Sequence, residues 1–303
     1  MENTHSLSTL PYFTYGTTRL GDRNVPFEER VKLALAVMEK NIPFHTSRQY
    51  GDTLEVLGEA FKRNPSWIPK LMIKIGGGSV EELRADIRKN LEPLGVPGME
   101  VGQLCIYGSL AEQLAQGGAC YRELKKIQAE GLVKRYVLEV FPWTSETALK
   151  ALSGGYLPGG VDALIFYFNP LQRFASNALW DLITSKKFPF LALRTVAGGD
   201  VHSLRDVPGA AWKPYLRERA VQVAPLFERS GITSWPEFCV RFAASFPLVL
   251  GTIGASIQVS RVDLLLEAAK NRKALPKECL EELMTLQRRW SEETDMKAEP
   301  WTM

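Results

Sequence analysis

The side chains with chemistry to offer fall at or near the ends of short apolar runs. His45 lies in the run 42–47, Lys74 closes Leu71-Met72-Ile73-Lys74, and Tyr107 and Gly108 end the run 101–108. Glu139 lies in 133–141, Asn169 ends 161–169, Arg194 falls in 188–196, and Tyr50 follows shortly after His45. An imidazole, a phenol, an amine and a carboxylate around one cavity would form an acid/base set. Such a set suits elimination, isomerisation or cyclisation beside a carbonyl. Neither Glu139 nor Arg194 should be buried alone, so the two either pair with each other or meet a polar substrate. Metal chemistry is not expected. The four cysteines, Cys105, Cys120, Cys239 and Cys279, show no CxxC spacing and read as reduced thiols.

What positions these residues is a repeated unit. Apolar, β-branched or aromatic runs at 12–18, 42–47, 70–76, 101–108, 133–141, 161–169, 188–196 and 247–253 predict strands. Helical patterns alternate with them near 27–40, 53–63, 79–93, 118–130, 144–153, 175–186, 213–229 and 235–245, and again after 260. Ser79 with Glu82 forms a capping box, Pro26 suits a helix first turn, and Gly131 and Gly154-Gly155 sit where C-caps would fall. Eight strand–helix units with no break in composition predict a single (β/α)8 barrel over 1–303. The segment 197–209 is expected as a loop over the barrel mouth, and 275–303 as a C-terminal helix and tail that carries Trp301. Barrel chemistry sits at the C-terminal ends of the strands, where the candidate residues lie.

Bulk properties narrow the partners. Of 303 residues, 37 are basic and 34 acidic, and the small net charge of +3 is dispersed. Lys125-Lys126 reads as a solvated helix face, not a nucleic-acid footprint. The polar stretch Met1 to Thr9 lacks an apolar signal core, and no run suits a membrane span of ~20 residues. A cytoplasmic protein acting on a small molecule, with no nucleic-acid or membrane partner, is expected.

Several of these segments, in order, resemble the aldo-keto reductase family. His45-Thr46-Ser47-Arg48-Gln49-Tyr50-Gly51, continuing to Glu55 and Leu57-Gly58, is similar to the family's D-T-A-x-x-Y-G…E-x-x-L-G. Lys74 resembles the family lysine, Gly131 to Arg135 the stretch entering strand five, and Asn169-Pro170-Leu171-Gln172-Arg173 the end of strand six. Ser234 to Ser256 resembles the helix leading to strand eight and its phosphate loop.

The resemblance implies a site of Asp, Tyr, Lys and His, with tyrosine as general acid toward a carbonyl oxygen. Its pKa of ~10 needs help from the lysine, which the aspartate orients. Tyr50 and Lys74 match this pattern. His45 stands at the aspartate position, and Gly108, with Tyr107 beside it, at the histidine position. The family's carboxamide-holding Ser-Asn pair and Gln correspond to Glu139-Val140 and Ile165, and its ring-stacking tyrosine to Leu193, followed by Arg194. Gly254-Ala255-Ser256 resembles the phosphate turn, and Arg261 could reach a 2′-phosphate. A second register puts Asp263 at that arginine's place, where it would repel phosphate.

Three functions are therefore expected in competition. One is an NADP(H)-dependent carbonyl reductase using Tyr50 as acid and Lys74 as helper. Another is a cofactor-independent lyase, isomerase or cyclase using His45, Tyr50, Lys74 and Glu139. The third is a non-catalytic binding subunit. With histidine in place of aspartate, Lys74 should lose its charge more readily unless Glu139 restores a carboxylate. Glu139 within salt-bridge reach of Lys74 favours the reductase, and separation favours acid/base chemistry.

Overall fold

The eight apolar runs become eight parallel strands because β-branched and aromatic side chains pack well on a pleated surface covered by helices. A computed structural model describes residues 7–141, 145–197, 199–207, 209–211 and 213–295. The strands are β1 (Phe13–Gly16), β2 (Phe44–Thr46), β3 (Leu71–Gly77), β4 (Met99–Ile106), β5 (Val133–Glu139), β6 (Ala163–Asn169), β7 (Phe190–Leu193) and β8 (Val249–Gly254). Each pairs with the next, and β8 pairs with β1, so the sheet closes into the expected barrel. A two-residue arm, Gln172–Arg173, folds back antiparallel on the end of β6.

Alternation along the strands separates two apolar zones. Phe44, Ile73, Ile75, Phe166 and Phe168 face the helices, whereas Met72, Val101, Val137, Ala163, Ile165, Leu191, Leu193 and Ile253 cluster inside the barrel with Leu7. Two residues beyond Met72, Val101 and Val137 along their strands, the same inward face becomes polar, with Lys74, Gln103 and Glu139. Cys105 continues it on β4. An apolar floor under a polar layer is what lets ionisable groups meet away from bulk water.

The helices are α1 (Phe27–Met38), α2 (Thr53–Arg63), α3 (Val80–Leu94), α4 (Gly108–Ala115), α5 (Cys120–Ala129) and α6 (Ser145–Ser153). They continue with α7 (Asn177–Lys186), α8 (Val201–Asp206), α9 (Pro214–Arg229), α10 (Trp235–Ala244), α11 (Val259–Asn271) and α12 (Lys277–Asp295). Ser79 caps α3 by accepting from Glu82 N (3.2 Å), while Glu82 reaches back to Gly78 N (2.7 Å).

Two segments differ from expectation. Gly108 does not end a strand. It opens α4 at φ +54°, a left-handed conformation suited to glycine, and Gly117-Gly118 separates α4 from α5. The expected loop at 197–209 contains α8, capped by Asp200 accepting from His202 N (2.8 Å) and anchored by the buried side chains of Val201 and Leu204. Two apolar anchors and a cap make a packed segment, not an irregular one. Trp143, Trp212 and Trp301, with the tail beyond 295, lie outside the described residues. Among the described residues, no helix is long and apolar enough to cross a membrane and no group of side chains could hold a metal.

Asn169, expected to meet substrate, is instead fully buried and ties the strand ends together. Its Nδ2 donates to Gln172 Oε1 (3.1 Å) and to the Arg194 carbonyl (2.9 Å), and its Oδ1 accepts from Leu171 N (2.9 Å). Gln287 of α12 donates to the Asn169 carbonyl (2.8 Å), so one residue joins β6, the arm, the end of β7 and the C-terminal helix. Asn169→Ala strips the Leu171 amide of its partner and leaves a void. It should lower stability by about 2–4 kcal/mol in urea unfolding; a loss under about 1 kcal/mol would contradict this structural role.

Candidate active site

The polar layer is organised by one ion pair. Lys74 Nζ, from β3, lies 2.7 Å from Glu139 Oε1 at the end of β5, with side-chain exposures of 13% and 6%. The second carboxylate oxygen accepts from the Cys105 thiol of β4, and Nζ sits 5.8 Å from the centre of the Phe141 ring. Burial by itself disfavours the ammonium. The Glu139 carboxylate outweighs burial and raises the Lys74 pKa above the ordinary lysine value. The carboxylate partner of Lys74 thus comes from β5. Burial and Glu139 together push the Cys105 thiol well above its usual range, so it stays a donor.

Tyr50 reaches this layer from the turn between β2 and α2. Its amide donates to the Ser47 carbonyl (3.1 Å), its carbonyl accepts from Thr53 Oγ1 (2.6 Å), and Gly51 turns at φ +63°. Gly21 permits the turn to pack down, since a Cβ there would fall 1.9 Å from the Tyr50 carbonyl oxygen. Burial raises the Tyr50 pKa; Lys74 pulls it back, Glu139 pushes it up, and a Thr18 side-chain hydrogen bond lowers it. The net shift is upward, so the phenol is protonated near neutrality, and the Lys74 cation offsets only part of the effect of burial.

His45 is buried beside them. Its Nε2 lies 2.7 Å from Gln103 Oε1, and with the amide oxygen as acceptor Nε2 carries the proton. Burial first, then the Lys74 charge, lowers its pKa to about 3, against a small opposing effect of Gln103. The neutral imidazole lies 6.2 Å from the Tyr50 ring. Gln103 and Cys105 were missed from the sequence. Both were within reach of the period-two rule, counting inward positions from Val101.

Tyr107 stands at the rim, 62% exposed, its hydroxyl donating to Glu82 Oε2 (3.2 Å). Arg194 adopts a left-handed φ of +52° and lays its guanidinium 5.3 Å from the centre of the Tyr167 ring. Both oxygens of Glu139 are engaged by Lys74 and Cys105, so the alternative pairing with Arg194 is not what holds it.

At the far end of the mouth, Gly254 closes β8, the Tyr15 hydroxyl donates to the Ser256 carbonyl (2.8 Å), and Ser256 Oγ accepts from Gln258 N (3.0 Å). Helix α11 begins at Val259 with Arg261 exposed on its first turn. Asp263, the residue that would have repelled phosphate, pairs with Lys40 at 2.6 Å. This end suits a nucleotide phosphate: a helix N-terminus, a tight turn and a free-standing arginine side chain at the surface. The nicotinamide end does not suit a carboxamide. Val140, Ile165 and Leu193 are buried aliphatics, and Glu139 is already engaged.

A family model described as the aldo/keto reductase family matches residues 13–287. The chain belongs to the aldo/keto reductase family. Among solved structures, an aldo/keto reductase from Klebsiella pneumoniae in complex with NADP and acetate is 16% identical, covers 92% of each chain and has a TM-score of 0.66. Two Pseudomonas aeruginosa structures assigned as aldo-keto reductases are 17% and 15% identical, cover 86% of this chain and 90% of their own, and have TM-scores of 0.58 and 0.60. At such identities the likeness concerns the fold. No curated protein matches the sequence.

His45 gives a pH signature. Its folded pKa near 3 lies below the ordinary value of 6.5, so between these limits the unfolded chain binds a proton that the folded chain does not. The stability it contributes is therefore complete above pH 6.5 and is lost as pH falls toward 3. Urea unfolding across this window should show a shallower acid slope in His45→Gln than in the natural chain. Identical slopes would mean that His45 titrates normally in the fold.

Proposed function

We propose that this protein is an NADP(H)-dependent reductase of a small carbonyl compound, in which Tyr50 gives the proton, Lys74 is the cation beside it, and Glu139 keeps Lys74 charged. The observation that carries this reading is the 2.7 Å contact between Lys74 and Glu139. A buried lysine without a carboxylate would tend toward the neutral amine and offer a base. With Glu139 it remains a cation and stabilises the phenolate that forms as Tyr50 passes its proton to the substrate oxygen. Phe141 and Tyr167, edge to face at 5.9 Å, supply an apolar wall near the same layer.

The NADP complex of the Klebsiella protein supports a nucleotide partner here. Gly254, Ser256 and the first turn of α11 would meet its phosphates, with Arg261 toward a 2′-phosphate. A bound NADP(H) would supply the hydride, and Tyr50 the proton. Since the carboxamide finds no amide partner, nucleotide affinity rests on the phosphate end. The competing acid/base reading requires a neutral Lys74 and a titrating His45, and both requirements sit poorly with the Glu139 contact and the buried imidazole. A purely binding role leaves the paired Lys74 beside Tyr50 without a purpose.

Glu139→Gln should lower kcat for NADPH-dependent reduction of 4-nitrobenzaldehyde by about 100-fold, the scale of a lost general-acid contribution. Adding His45→Asp to that variant returns a carboxylate to Lys74 and should recover part of the loss. Undiminished turnover in Glu139→Gln would remove the basis of the proposal.

Calorimetric titration with NADPH should give a Kd weaker than about 1 µM, less than about 8 kcal/mol of binding free energy. Submicromolar affinity would mean that the phosphate contacts outweigh the missing carboxamide partners.

A further inference from the structure

Tyr50 and Lys74 come from different strand ends, and one side chain of α3 is bonded near both. Asp86 is buried, 8% exposed, and its Oδ2 accepts from the backbone amide of Gly76 (2.9 Å), two residues past Lys74 on β3. Its Oδ1 accepts from Nε of Arg48, two residues before Tyr50. One helical turn on, fully buried Asn90 donates to the Asp86 carbonyl (2.8 Å) and accepts from the Arg48 backbone amide (3.1 Å). The turn that carries Tyr50 is thus held to α3 by the side chain and the backbone of Arg48. The end of β3 is held to the same carboxylate.

We infer that Asp86 is a positioning residue that sets the approach of Tyr50 to Lys74, with Arg48 and Asn90 completing the clamp. It touches neither reacting group, and its catalytic consequence rests on the reductase reading above. A carboxylate fits this post because it can accept from an amide on one oxygen and a guanidinium on the other at once. Asparagine offers only one accepting oxygen and would hold one end or the other. Because Asn90 follows Asp86 by four residues, both project from one face of α3, and the helix acts as a rigid bar between the two loops.

The test combines amide hydrogen exchange with kinetics on the full chain. In Asp86→Ala the amides of both Arg48 and Gly76 should exchange about tenfold faster or more, as linked local opening requires. In Arg48→Met only residues 47–51 should loosen, with Gly76 unchanged. With NADPH and 4-nitrobenzaldehyde, both variants should lose kcat by about 10- to 100-fold while KM for NADPH holds, the scale expected when reacting groups shift by about 1 Å. Arg48→Lys, which restores the charge, should recover part of the loss. Should Asp86→Ala not fold, Asp86→Asn and Arg48→Met carry the same comparison. Exchange that changes at Gly76 alone, or natural kcat in Arg48→Met and Asp86→Asn, would overturn the inference. If the natural chain does not reduce the aldehyde, the reductase reading falls, and coupled exchange at Arg48 and Gly76 still decides the clamp.

Discussion

A lysine amine buried at a barrel mouth is unfavourable unless something nearby is negative. Bringing an ammonium out of water costs several kcal/mol even after relaxation, and a paired carboxylate is the ordinary remedy. Lys74 and Glu139 meet this demand at 2.7 Å across β4, whose Cys105 engages the free carboxylate oxygen. The rest of the site follows from that contact. Tyr50 gains a lasting cation, His45 is held neutral partly by the same charge, and Glu139 is spent before any carboxamide could use it.

The barrel was legible because its information is local and repeated. Each apolar run is bounded by turn or cap residues, and eight such units leave few other architectures. Segment 108–115 was misread because a tyrosine and a glycine after an apolar run look like a strand ending, whereas Gly108 in the left-handed region starts a helix. Within 197–209 the short pattern Val201–Leu204 was harder to see, because glycines and prolines surround it.

The site was legible by parts. Tyr50 and Lys74 could be located from flanking motifs, but their partners depend on strand register. Glu139 is 65 residues from Lys74, and nothing in either segment states that their side chains will meet. Asn169 misled for a related reason. A polar residue at a strand end is expected to face the mouth, yet this one is consumed by joining β6 to α12. Gln103 and Cys105 were hidden in a run that reads as apolar, although alternation from Val101 points both inward.

The moved carboxylate also restricts the routes by which such a sequence can be reached. Starting from a family-like site with aspartate on β2, losing that aspartate first strands a buried ammonium with no counter-charge. Gaining Glu139 first merely gives the amine two anionic neighbours, a milder burden. A route that keeps Lys74 charged throughout would pass through a site carrying both carboxylates. With His45 in place, Glu139 is the carboxylate that keeps Lys74 charged. Changes at these two positions should therefore be coupled, since each bears on the one charge at Lys74.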